Sequence, residues 1–243
     1  MNTTLLALAL AFLASPPAGD PRTQTLPREP GPRTEHFLLE TSEDPARCVG
    51  AVVLRRRASE GGFQLEAEWQ FDRAEEEGGD EQVLHIEQLA AAGSKLIWRE
   101  WGSSRARSLV VTRNAEGREI AFVDTSRGGS RKDTIAADTP WFPLELFERL
   151  RTGAAPPGAC ARFDPLSRSI ESVDLKLVPK GLEPAARAYE LVRADGTSAG
   201  SCEFLGTELR SFRCHQGGLV ARRVDEAEYL ARSPRTSVTI RRP

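Results

Sequence analysis

The hydrophobic pattern changes character along the chain. Leu5 to Ala14 is one short apolar run. Residues 20–35 then hold Pro21, Pro27, Pro30, Gly31 and Pro32 among charges, with no periodic signal. From residue 48 onward most segments read as strands. The clearest is 63–71, where Phe63, Leu65, Ala67, Trp69 and Phe71 alternate with Gln64, Glu66, Glu68 and Gln70. A period of two puts the apolar side chains on one face of a sheet and the polar ones on the other. A helix would scatter them around its circumference.

Related patterns predict strands at 48–57, 82–91, 95–101, 106–113 and 118–124, then at 169–178, 187–193, 201–205, 209–215 and 219–224. Asn114-Ala115-Glu116-Gly117 reads as a hairpin connection. Short strands joined without intervening helices predict antiparallel neighbours rather than βαβ units. One helix is predicted over 141–151. Asp138 or Thr139 would cap it, with Pro140 near its first turn. Phe142, Leu146 and Leu150 form its stripe, Phe147 lies beside them, and Gly153 with Pro156-Pro157-Gly158 ends it. Asp225 to Leu230 adds a last helical turn. The predicted class is mainly β (α+β): a curved antiparallel half-barrel meander with one short helix packed on it.

The run from Leu5 to Ala14 has about half of the ~20 residues a membrane-spanning helix needs. Small and turn-forming residues follow it, Ser15-Pro16-Pro17-Ala18-Gly19. This reads as a signal peptide over 1–19, hence an exported protein, periplasmic or secreted. No cysteine ends the apolar run, so lipid attachment there is not expected. No later stretch suits a transmembrane helix, and the chain is not expected to span a membrane. The remaining map is a Pro-rich linker at 20–35, one β-rich domain at 36–232 and a tail at 233–243.

Charge narrows the partners. Lys and Arg total 33 against 35 Asp and Glu. That balance offers no basic footprint for nucleic acid.

The 4 cysteines are Cys48, Cys160, Cys202 and Cys214. An even number in an exported chain favours disulfides. If a hairpin turns around Glu208, Phe204 faces Phe212, Glu203 faces Arg213 and Cys202 faces Cys214. Cys48 and Cys160 would then form the other pair.

Catalytic patterns are sparse. Gly196-Thr197-Ser198-Ala199-Gly200 fits the nucleophile-elbow motif. That motif needs a strand before the serine and a helix after it. Here strand pattern lies on both sides, and Asp195-Gly196 begins a turn. A hairpin is therefore favoured, with a hydrolase using Ser198 as the alternative. Cys214 and His215 are neighbours on a strand and point to opposite faces. His36, His85 and His215 are isolated, and no Cys-x-x-Cys or His-Glu-x-x-His occurs. No metal or other cofactor is implied. The aromatic residues are more informative. Trp69 and Phe71 share one sheet face, and Trp98 can join them on a concave surface. An incompletely closed sheet lined this way can hold an apolar ligand.

The order of elements is a leader, a long meander, one Pro-bounded helix, a Pro/Gly loop, Phe163-Asp164-Pro165 and a second meander. It resembles the exported half-barrel domains of the lipoprotein-carrier (LolA/LolB-like) type and their periplasmic relatives. The resemblance implies a curved sheet wrapped on helix and able to hold an acyl chain. Three functions are therefore expected in order: an exported non-catalytic module binding an apolar ligand, such as a lipid, or a partner segment; a structural envelope protein with a filled core that binds a protein partner; and a hydrolase.

Overall fold

The alternating segment becomes one strand of a fourteen-stranded antiparallel sheet. In the computed structural model the described residues are 31–43, 46–72, 81–102, 106–116, 119–126, 129–136, 140–179, 185–213 and 218–233. The segments read as signal peptide and tail, and most of that read as linker, lie outside them. The elements are β1 (Arg33–Glu40), β2 (Cys48–Ser59), β3 (Gly62–Phe71), β4 (Glu81–Ala90), β5 (Gly93–Gly102), β6 (Ala106–Asn114), β7 (Glu119–Ser126), β8 (Gly129–Ala136), α1 (Pro143–Thr152), β9 (Gly158–Asp164), β10 (Ser169–Val178), β11 (Ala186–Arg193), β12 (Ser198–Leu205), β13 (Glu208–Arg213), β14 (Val220–Val224) and α2 (Glu226–Arg232).

Every strand pairs antiparallel with its neighbours in the order β8-β7-β6-β5-β4-β3-β2-β1-β14-β13-β12-β11-β10-β9. Two meanders are thus joined through β1 and β14. Three strands escape the sequence pattern: β1, β8 and β9. The domain also starts at Arg33, within the segment read as linker. There are two helices where one was expected, because the turn after Asp225 continues to Arg232. Asp225 caps it by accepting the N–H of Glu228 at 2.7 Å.

Register fixes the inner face. Leu54 pairs with Ala67, Ala67 with His85, and His85 with Trp98. Cross-strand partners share a face, so Leu54, Ala67, His85 and Trp98 all look inward. The same logic puts Glu35, Phe37 and Leu39 of β1 inside. Leu38 points outward, yet it too is fully buried. It belongs to a small outer cluster with Ala51 and Val224, against which Tyr229 of α2 packs. Burial on both faces gives β1 a continuous apolar run, which removes the alternation.

The sheet rolls into a barrel-like shape whose end strands do not pair with each other. Phe163 and Ile170 of β9 and β10 instead join the cluster formed by Leu109, Val111, Ile120 and Phe122 of β6 and β7. The β9–β10 turn is held there by charge. Arg168 donates to Asp124 of β7 at 2.5 Å, and Arg107 donates to the Pro165 carbonyl at 3.3 Å. The outer edge of β9 is bridged in parallel by Trp141, whose N–H and C=O bond Ala161 and Phe163 at 2.9 Å. That bridge leads the chain directly into α1.

α1 lies across the end of the roll where β1 starts and the β2–β3, β4–β5 and β12–β13 turns sit. Leu146 and Leu150 face one large inner cluster, with Phe37, Val52, Tyr189, Phe204 and Phe212. Phe142 and Leu144 face the other. Gly153 ends the helix in the left-handed conformation, with φ of 73°, and donates to the Leu150 carbonyl.

Candidate functional site

The helix floor is positioned by buried charge at both ends. At its start, Glu87 of β4 accepts the N–H groups of Leu144 and Glu145 at 2.8 and 2.7 Å. Asp138 and Thr139, the expected caps, lie outside the described residues. His85 Nε2 lies 2.8 Å from the same carboxylate and its ring sits 5.2 Å from Trp98. Glu145 then gathers Arg113 and Arg149, each at 2.9 Å or less. Arg113 also donates to the Pro140 carbonyl and to Ser94.

At the other end, Arg151 donates to Glu35 at 2.6 Å and to the Thr207 carbonyl at 2.5 Å. Arg33 bridges Glu35 and Glu148. Arg187 donates to the carbonyls of Arg151 and Gly206, at 3.0 and 2.7 Å. Cations at a helix C-terminus complement its dipole. Between α1 and β1–β3 a shallow cleft, with room for about one water molecule, opens to solvent. Leu54, Leu65, Leu144 and Phe147 form its apolar wall; Arg33, Arg55 and Arg151 with Glu35, Glu66 and Glu148 form its charged side, three of each sign.

The aromatic residues singled out in the sequence do share the inner face. Trp69 stacks on Phe71, with ring centres 6.2 Å apart, and meets Phe212 edge-on at 5.7 Å. Its indole nitrogen is buried and has no hydrogen-bond partner among the described residues. Trp98 lies across β4 from that stack, against His85, and donates to Glu100 at 2.8 Å. All three rings are half-buried. None lines the cleft beside α1.

The other motifs resolve differently. Gly196 is in a turn, Ser198 is exposed at the start of β12, and no helix follows. The Gly-x-Ser-x-Gly segment is a hairpin corner and lacks the strand-turn-helix geometry of a nucleophile elbow. The hairpin register assumed for the cysteines is also corrected. β12 and β13 turn at Gly206-Thr207, with Leu205 opposite Glu208 and a bulge between Glu203 and Phe204. Phe204 therefore faces Leu209, and Cys202 faces Phe212. Cys48, Cys160 and Cys202 are free thiols; Cys214 lies outside the described residues. Burial pushes the Cys202 thiol up to about 12, aided by Glu203 and opposed by Arg151. Burial also raises Cys160.

Among the described residues, no group of three or more His, Cys, Asp or Glu is placed to hold a metal ion. No described helix is long and apolar enough to cross a membrane.

These features define a barrel-like β domain with a helical floor. No protein-family model matches the sequence, and no curated protein does. Among solved structures the chain is similar to a β-barrel-like protein of the domain of unknown function DUF1849 from Brucella abortus. The TM-score is 0.54 at 10% identity, over 79% of this chain and 94% of that one. The likeness concerns the fold. It supports the barrel-like architecture and not the lipoprotein-carrier type in particular.

Proposed function

We propose that this chain is an exported, non-catalytic binding module that takes an apolar group, of a ligand or of a partner segment, on the inner aromatic face. The observation that carries this reading is Trp69. Its ring is half-buried on a Phe71–Phe212 platform while its buried N–H lacks an acceptor. A buried donor left unpaired costs about 1–3 kcal/mol. An occupant with an apolar body and one acceptor atom would recover that cost. Trp and Tyr are favoured at binding surfaces for this combination of apolar area and polar tip.

Native mass spectrometry of the protein from the exported fraction of its host, before and after denaturation, tests occupancy. N-phenyl-1-naphthylamine, a neutral apolar fluorophore, tests the face in vitro. Uptake by the wild type and its loss in Trp69→Ala are expected. A bare chain that also ignores the probe would overturn the reading. That outcome favours the second one, a filled-core module recognised on its outside, which α1 supports by occupying the inner face with Leu146 and Leu150.

A further inference from the structure

The outside of the roll carries a second apolar surface, on β4 to β7. Ile86 pairs with Ile97, Ile97 with Val110 and Val110 with Val123. Cross-strand partners share a face, so these residues form one row, about 15 Å long at ~4.8 Å per strand. Their chain neighbours His85, Trp98, Leu109 and Phe122 look inward, so the row looks outward. None of its members belongs to a buried cluster, and Val123 is 36% exposed. Trp101 lies on the same face of β5 and is half-buried. Elsewhere the outer face is written differently. On β3 it is Gln64, Glu66, Glu68 and Gln70. β1 is apolar on both faces, and there α2 covers the outer one. A sheet face left to water is ordinarily polar. The middle of β4 to β7 is apolar on both faces, yet α2 packs on β1 and α1 forms the inner floor, so neither helix covers it.

Charge selects the kind of cover. Lys95 and Arg99 stand two residues either side of Ile97 and share its face. Neither side chain has a partner among the described residues. The carboxylates of the same strands point the other way: Glu81, Glu87, Glu100 and Asp124 are buried inside, which leaves Glu119, at the start of β7, as the outward one. Glu66 and Glu68 of the adjoining β3 are taken by Arg55. The whole chain has a net charge of -2, so a cationic face is a local departure. A second copy docked on it face to face would set Lys95 and Arg99 against cations. The outside of a roll is convex, whereas a bound peptide is fixed by a groove and pockets. A lipid surface needs neither.

We propose that the outer face of β4–β7 docks peripherally on an anionic membrane surface, with Lys95 and Arg99 among the headgroups and Ile97, Val110 and Trp101 at the acyl boundary. Each cation near such a surface is favourable, and the attraction fades within a Debye length. Tryptophan is favoured at that depth, where its ring is half in hydrocarbon. This inference stands independently of the inner aromatic face.

The test is flotation of the intact protein with vesicles of phosphatidylglycerol mixed into phosphatidylcholine, with pure phosphatidylcholine as the control. Binding to the anionic vesicles is expected, at least roughly tenfold above the control and weakened by salt. Lys95→Gln combined with Arg99→Gln should remove most of that advantage. Lipid with brominated acyl chains should quench the tryptophan fluorescence of the bound protein, and Trp101→Phe should abolish most of the quenching. No binding to anionic vesicles overturns the proposal. Equal binding to both vesicles, or full binding by the double variant, overturns the role of the two cations. Quenching that survives Trp101→Phe puts the lipid on another face and overturns this one. A dimer in sedimentation equilibrium that Ile97→Asp dissolves, without vesicle binding, assigns the face to a second copy instead. Because the wild-type vesicle comparison and the two exchanges of unpartnered cations carry the decision, a poorly folding Trp101 or Ile97 variant does not block it.

Discussion

Glu87 of β4 accepts the backbone N–H of Glu145 at 2.7 Å, so a strand side chain closes the first turn of α1, while Glu145 itself reaches back to accept the N–H of Phe142. Four N–H groups at a helix start have no partner within the helix, and burying them unpaired is costly. Phe142 stands at the N-cap position and its side chain cannot accept. The N–H groups of Leu144 and Glu145 therefore find their carboxylate in the sheet. One fully buried residue thereby ties helix, strand and the His85 side chain together.

Glu87→Ala should be among the most damaging substitutions in the domain. It removes a cap worth about 1 kcal/mol and leaves two buried N–H groups unsatisfied, for a total of about 2–4 kcal/mol. Glu87→Gln keeps one acceptor oxygen and should lose less than half as much. Urea denaturation followed by far-ultraviolet circular dichroism measures both. Equal losses would show that shape rather than acceptance is what matters at this position.

The seam of the roll depends on Asp124, which takes Arg107 at 3.1 Å and Arg168 at 2.5 Å. Arg168 is also, among the described residues, the non-glycine residue with positive φ, 57°. Its pair is partly solvated, so Arg168→Ala should cost no more than about 1 kcal/mol. Arg168→Gly loses the same pair but relieves left-handed backbone, worth about 1 kcal/mol, and should be the more stable of the two. Asp124→Ala strands a largely buried Arg107 and should cost about 2–3 kcal/mol. Thermal unfolding ranks the three. Faster amide exchange in β7 than in β3 for the Asp124 variant would place the damage at the seam.

Much of the sheet was legible because half-exposed strands keep the period of two. β3 is the clearest case, with Glu66 and Glu68 outward on Arg55 at 2.7 and 2.9 Å. β1 was not legible, since Leu38 is buried under α2 while Phe37 and Leu39 are buried inside. β9 carries core on both faces as well, through Phe163 in one cluster and Cys160 at the other. The charged cleft was hidden for a different reason. Pattern reading assigns Glu35, Glu148 and Arg151 to the solvent side, yet each is at most 4% exposed. Their burial is affordable only because they meet one another, and partners 116 residues apart leave no local signal.

The outer helix α2 should be pH-sensitive. Arg222 and, more weakly, Arg232 hold the Glu40 carboxyl below its ordinary value against an opposing desolvation. Glu228 is lowered too, chiefly by the hydrogen bond from Arg222. Carboxylates whose folded pKa is depressed stabilise the fold above their unfolded value of about 4.5, and that stability is lost as pH falls through the lower folded value. Acidification below about pH 4.5 should therefore loosen α2 from β1 and β14 before the inner sheet responds. Tyr229, whose ring lies 4.8 Å from His36, reports on this contact by fluorescence. Glu40→Gln should flatten the acid transition of that signal. An unchanged transition would assign it to another group.

Cys202 should resist chemistry that reaches the other described thiols. It is fully buried opposite Phe212, and its pKa is pushed up to about 12. The thiolate is the reactive form, so alkylation of the native protein near pH 8 should label the half-buried Cys48 and Cys160 well before Cys202. The same shift sets a sign at high pH. Between the ordinary value of 9.0 and about 12 the unfolded chain has lost the thiol proton while the native state keeps it. Stability should then fall as pH rises through that window, and be unaffected by this group below it. Cys202→Ala removes the proton along with the thiol. If the alkaline decline in urea midpoint keeps its slope in that variant, the decline belongs to other groups. If it flattens, the buried thiol is its source, and the early-labelling pair identified by mass spectrometry confirms which cysteines face the solvent.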